Sequence, residues 1–205
     1  MKDNAIQVFV HAIYLLALIN PISKVSILSS ITTSQKEFAN VMSLTTKSSL
    51  AALGILLGSM FFGDFLLRNV FHVNVYSLQL SGGAVLVWVG FTALRKGVFF
   101  EQKTPEQYDD VALVPLACPM IAGPATIAAC VALPAKSGLL LPALSLLIAL
   151  AINDVIMRLS KPIAVILSRF NVLGALIRIT GLFVMTIGMQ MTLDGIGAWR
   201  GDLGK

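Results

Sequence analysis

Asn20, Pro21, Ser23 and Lys24 crowd into the stretch "INPISK", inside a run that is otherwise apolar. Each is costly in the middle of a hydrocarbon layer, so together they mark either a tolerated kink or a working part. Pro21 has no N–H to give the Ala17 carbonyl, and its ring crowds that oxygen, so a helix must bend or open there. Asn20 adds a side-chain amide that both donates and accepts. In the second half of the chain, "PLACPMIAGPATIAA" holds Pro115, Pro119, Gly123 and Pro124. One proline in a membrane helix is usually a kink; three with a glycine predict an interruption.

Helices that restart after Pro21 and after Pro124 present free N–H groups and positive dipole ends, which suit a carboxylate. Carbonyls freed before the breaks suit an ammonium group or a cation. A zwitterionic amino acid answers both. Ser23 and Thr126 sit just inside the restarted helices, as caps, as cavity-lining hydroxyls, or as both. Lys24 snorkels to the interface if the break is shallow, or carries charge in the pathway if it is deep; snorkelling is the expectation. Arg178 and Gln190 fall within the last apolar run and are expected to point inward, since such side chains usually face protein or water. Asp154 stands four residues before Arg158, so a helix-end ion pair weighs as much as a functional role. His11 reads as a packed or interfacial histidine, with proton coupling the lesser alternative.

The elements that hold these residues are membrane helices. The chain is 57% hydrophobic and 12% charged, about half the charge of a soluble domain, with mean hydropathy +0.86. Apolar runs long enough to span a bilayer predict six transmembrane helices near 5–32, 40–62, 74–95, 111–133, 138–157 and 173–198. The first is read as a retained span and not a signal peptide. Segments 64–73 and 160–171, short and mixed in character, are expected to lie along the interface. Gly54 and Gly58, four apart, predict an ordinary packing face. Seven Lys and Arg on one set of connections against five on the other favour that first set as cytoplasmic, with both termini outside. No basic stripe suits nucleic acid. Cys118 and Cys130 read as small packing residues, and no metal-ligand or nucleophile motif is present.

Sliding the chain against itself by 98 residues places Pro21 on Pro119, and Gly83, Gly90 and Gly97 on Gly181, Gly188 and Gly195. A proline and three glycines in one ungapped register predict two three-helix repeats, 1–97 and 111–205, around a cytoplasmic linker at 98–110. An odd number of spans inverts the second repeat, and inverted repeats with matching interrupted helices point to a transporter with a midplane site.

The blocks "LINPISK", "LQLSGGAVLVWVGFTAL", "VALVPLACPMIAGPATIA" and "RITGLFVMTIGMQMTLDGI" resemble the MarC family of small bacterial and archaeal membrane proteins over nearly the whole chain. The resemblance implies a six-helix inner-membrane protein with inverted repeats, helices one and four being interrupted at Asn20-Pro21 and Gly123-Pro124. Its better-understood relatives look like transporters of glycine and alanine. Three positions depart from the family's pattern: Gln79 stands where it usually has Arg, Ala125 where it usually has glycine, and Asp194 where it usually has Asn. Ala125 would narrow a cavity at that point.

The expectation is therefore an all-α membrane protein that carries small neutral amino acids by alternating access. Asn20, Pro21, Ser23, Gly123, Pro124, Thr126, Arg178 and Gln190 form its binding region. It needs no cofactor beyond a coupling H+ or Na+, and its partners are the zwitterionic substrate and the lipid bilayer. An exporter of larger amphiphilic compounds and a non-transporting scaffold are the rival readings. An enzyme is disfavoured, since no nucleophile, base or metal constellation appears.

Overall fold

The computed structural model describes residues 2–31, 35–99, 121–170 and 172–203. All regular structure among them is helical: α1 (Lys2–Ile19), α2 (Pro21–Ile31), α3 (Gln35–Phe65) with a π-helical turn (Leu66–Val70), α4 (Val75–Lys96), α5 (Pro124–Ser137), α6 (Leu140–Arg158), α7 (Ser160–Arg169) and α8 (Leu173–Leu203). Five stretches are long and apolar enough to cross a membrane: Asp3–Ser26, Thr45–Val70, Val75–Lys96, Leu140–Arg158 and Leu173–Leu203. They correspond to five of the six expected spans. The expected fourth span falls partly outside the described residues, as does most of the linker at 98–110. Its described part is α5, which begins at Pro124.

The polar segment after α3 does not break away from it. Phe71 N–H donates to Leu66 O at 3.0 Å, so the helix widens into one π turn instead of ending. Arg68 and Asp64 pair across that turn at 2.7 Å. Residues 160–169, by contrast, do form a short helix of their own.

Glycines set the seam between α4 and α8. Gly83, Gly90, Gly181 and Gly188 are all buried. A Cβ on Gly90 would lie 2.5 Å from Gly181 O, and one on Gly188 would lie 2.7 Å from Gly83 O. The two backbones therefore touch directly, which only residues without a side chain permit. Gly83 meets Gly188 while Gly90 meets Gly181, so the helices run antiparallel. In the 98-residue register each glycine thus meets the other's counterpart. The seam repeats this exchange at its ends: Gly195 abuts Leu80, and Gly97 abuts Arg178, the counterparts of Gly97 and Leu80. Gly54 and Gly58 behave otherwise. A Cβ on either would find no heavy atom within 4 Å, so their spacing makes no packing face within the described chain.

α6 lies against α1, α2 and α3. Ser145 Oγ donates to Val8 O of α1 at 3.0 Å. Asp154 accepts from Arg158 Nε at 2.6 Å and from Ser49 Oγ of α3 at 3.0 Å, while Arg158 Nη2 donates to Thr46 Oγ1 at 2.9 Å. The helix-end ion pair is present and is tied across to α3. Asp154→Ala strips both of its bonds and leaves a partly exposed Arg158 with Thr46 but without its carboxylate. The expected loss is about 1–2 kcal/mol, or a fall of about 2–6 °C in the unfolding midpoint of detergent-purified protein. An unmoved midpoint would show that this network does not hold α6 to α3.

Candidate functional site

α1 ends because Asn20 leaves the helical region. Its φ of 52° is left-handed, its N–H still donates to Leu16 O at 2.9 Å, and Pro21 restarts the chain as the first residue of α2. Asn is among the few non-glycine residues that adopt this conformation at modest cost. Ser23 Oγ donates to Asn20 O at 2.8 Å. It therefore serves a carbonyl of the break, whereas a conventional cap would accept from an N–H.

Lys24 is fully buried, and its amine donates to Ile19 O and, at 3.4 Å, to Asn20 O. The expectation that it snorkels is overturned. Helical side chains lean toward their own N-terminus, so a lysine in the first turn of α2 reaches back over the break. There it meets the carbonyl end of α1, where the helix dipole is negative.

The second break mirrors the first in its proline. Gly123 is the N-cap of α5 with extended φ and ψ of −75° and 164°, Pro124 is its first residue, and no side chain caps it. The first backbone bond of α5 is Ile127 N–H to Gly123 O at 2.9 Å. The N–H groups of Ala125 and Thr126 precede it and have no intrahelical acceptor. Pro119, the partner of Pro21 in the 98-residue register, lies outside the described residues. Among the described ones Pro124 takes the equivalent place, five positions further on.

Both breaks open on one cavity of about 180 Å³. Asn20 and Ser23 line it from the first break, and Gly123, Pro124 and Thr126 from the second. Pro21 shapes the break without lining the space. Leu86, Val85 and Val89 of α4 supply an apolar wall, with Phe99 and Val184 beside them. α4 can stand this close because Gly82 faces α5: a Cβ there would lie 3.3 Å from Ala125 Cα and 3.1 Å from Ala128 Cβ. The space far exceeds the ~10–15 Å³ that admits a single water. It falls below the ~300–1,000 Å³ usual for drug-sized ligands. The apolar wall carried no separate signal in the sequence, where its valines and leucines match those facing lipid; Gly82 in "SGGAV" was the one available cue.

Arg178 and Gln190 do not join the site. Both are exposed, against the expectation that they point inward. The inward stripe of α8 is Ile177, Gly181, Val184, Gly188, Met191 and Gly195, and 178 and 190 each sit one position off it. Arg178 lies against Gly97 at the end of α4, and Gln190 Nε2 donates to Asp194 Oδ1 at 2.7 Å. Asp194 is also 3.7 Å from Lys136 Nζ. Asn153 is buried, with its amide donating to Met157 Sδ at 3.1 Å, and lies off the cavity, as does half-buried His11. Cys130 is buried and unpaired. Among the described residues no His, Cys, Asp and Glu cluster into a metal site.

Several membrane-length helices, with two restarts sharing one small cavity, define a helical integral membrane protein. The chain belongs to the MarC family of integral membrane proteins, whose model matches residues 6–199. It is 33% identical to a UPF0056 membrane protein of Pyrococcus horikoshii over 191 residues, covering 93% of this chain and 94% of the relative. It is 28% identical to one from Buchnera aphidicola (90% and 89% covered) and 28% identical to one from Escherichia coli K12 (92% and 91%). No solved structure matches it.

Proposed function

We propose that this protein is a secondary transporter of small neutral amino acids such as glycine and alanine, working by alternating access at its paired helix breaks in the cell's inner membrane. The observation that carries this reading is the shared cavity. Two interruptions far apart in sequence meet around one space, and backbone at membrane depth is left open where it lines a binding cavity. The substrate carboxylate sits at the uncapped N-terminus of α5, where the Ala125 and Thr126 N–H groups and the dipole favour negative charge. Its ammonium faces the Asn20 amide oxygen, which lines the cavity. The apolar wall from α4 admits a methyl group and excludes a long side chain. The small volume also weighs against large amphiphilic substrates.

The counterpart exchange along the α4–α8 seam supports two inverted three-helix repeats, with both termini lying outside. Coupling to H+ or Na+ would drive the cycle, with no covalent step. Asn20→Gly tests the reading cleanly, since glycine adopts φ 52° without strain and only the amide is lost. In proteoliposomes it is expected to raise the apparent KM for glycine and alanine about ten-fold or more, the worth of one hydrogen bond to a charged group. Unchanged uptake by the variant, or no uptake by the wild type, would sink the proposal.

A further inference from the structure

Lys24 contradicts an ordinary rule of helix design. It lies in the first turn of α2, where a positive side chain opposes the positive end of that helix's own dipole. It is also 0% exposed, and among the described residues its amine finds the carbonyls of Ile19 and Asn20 and no carboxylate. What compensates the burial is the other helix end, the carbonyl terminus of α1. Ser23 Oγ donates to the same Asn20 carbonyl from a second direction. The left-handed turn at Asn20 holds the two carbonyls where one small cation can serve both. Carbonyls freed at an interrupted helix are the ligands with which membrane proteins hold a bare alkali cation. Lys24 does not line the cavity, so its amine sits behind the substrate position and does not compete for it.

We propose that the carbonyl end of α1 is a monovalent-cation site and that the tethered Lys24 ammonium is its permanent occupant. A sodium ion at this break is therefore redundant. As a consequence that rests on the transporter reading above, substrate binding proceeds without sodium, and coupling must come from elsewhere. The cation site itself does not depend on that reading.

The test uses full-length protein in detergent with no amino acid present, so it is independent of transport. Thermal unfolding is compared in sodium chloride and in choline chloride at equal ionic strength. The wild type is expected to unfold at the same temperature in both. Lys24→Ala, which vacates the site, is expected to be stabilised by sodium over choline by about 4 °C once the ion is near ten-fold saturation. Lys24→Arg should restore indifference to sodium. A purely structural lysine predicts that Lys24→Ala is equally weakened in both salts, and that result overturns the proposal. So does sodium stabilisation of the wild type, which can be read even if Lys24→Ala does not fold. Lys24→Ser, which leaves a hydroxyl ligand beside the vacated carbonyls, is a further variant and should show the same sodium preference as Lys24→Ala.

Discussion

Gly90→Leu is expected to unseat α8 from α4 and to lower the unfolding midpoint by about 6–12 °C, equivalent to roughly 3 kcal/mol. The new Cβ would fall 2.5 Å from Gly181 O and 2.6 Å from Met185 N. Both are backbone atoms, so no rotamer change relieves the overlap and the helices must separate. Separation exposes a face of Gly83, Leu86, Gly181 and Val184 that is shaped for backbone contact and for nothing wider. The control is Gly58→Leu, where a Cβ meets no atom within 4 Å. It is expected to stay within about 0.5 kcal/mol of the wild type. Size-exclusion profiles after heating separate the two outcomes, and equal midpoints would show that the seam is not what holds the helices together.

Ala125→Phe is expected to abolish amino-acid binding while leaving the protein folded. Ala125 lines the cavity at the start of α5, beside the N–H groups assigned to the substrate carboxylate. A benzyl group there grows into existing space, so its overpacking cost stays near the low end of the usual ~1–3 kcal/mol. Ligand-induced thermal stabilisation by glycine and alanine should vanish, a loss in affinity of at least about a hundred-fold, or ~2.7 kcal/mol. Ala125→Gly, which widens the same point, should keep binding. If Ala125→Phe binds as well as the wild type, the substrate sits somewhere other than between the two breaks.

The residues that could be read in advance were those whose chemistry conflicts with lipid. Apolar runs alone located five helices, because a span must hide every backbone polar group inside itself. Asn20-Pro21 and Gly123-Pro124 announced the breaks, and five of the eight residues assigned to the binding region do line one cavity. Lys24 could not be placed, since its fate depends on which helix end it can reach and not on its neighbours in sequence. Arg178 and Gln190 turn outward, against the expectation, for a related reason. A shift of one residue turns a helical side chain by about 100°, and only the glycine stripe of α8 reveals which side is taken. The wall of Val85, Leu86 and Val89 had no signal of its own, as lipid and a small ligand's methyl group ask for the same side chains.

Backbone-to-backbone seating at Gly83–Gly188 and Gly90–Gly181 has a mechanical consequence. Sliding one helix along the other would drive a neighbour's Cβ into a carbonyl, so the pair has no gear in which to shift and acts as a fixed post. On the transporter reading proposed above, the shape change of the cycle falls to the segments already jointed, α1 with α2 on one side and α5 on the other. Each carries a proline at its joint, where a pivot against that post would fall.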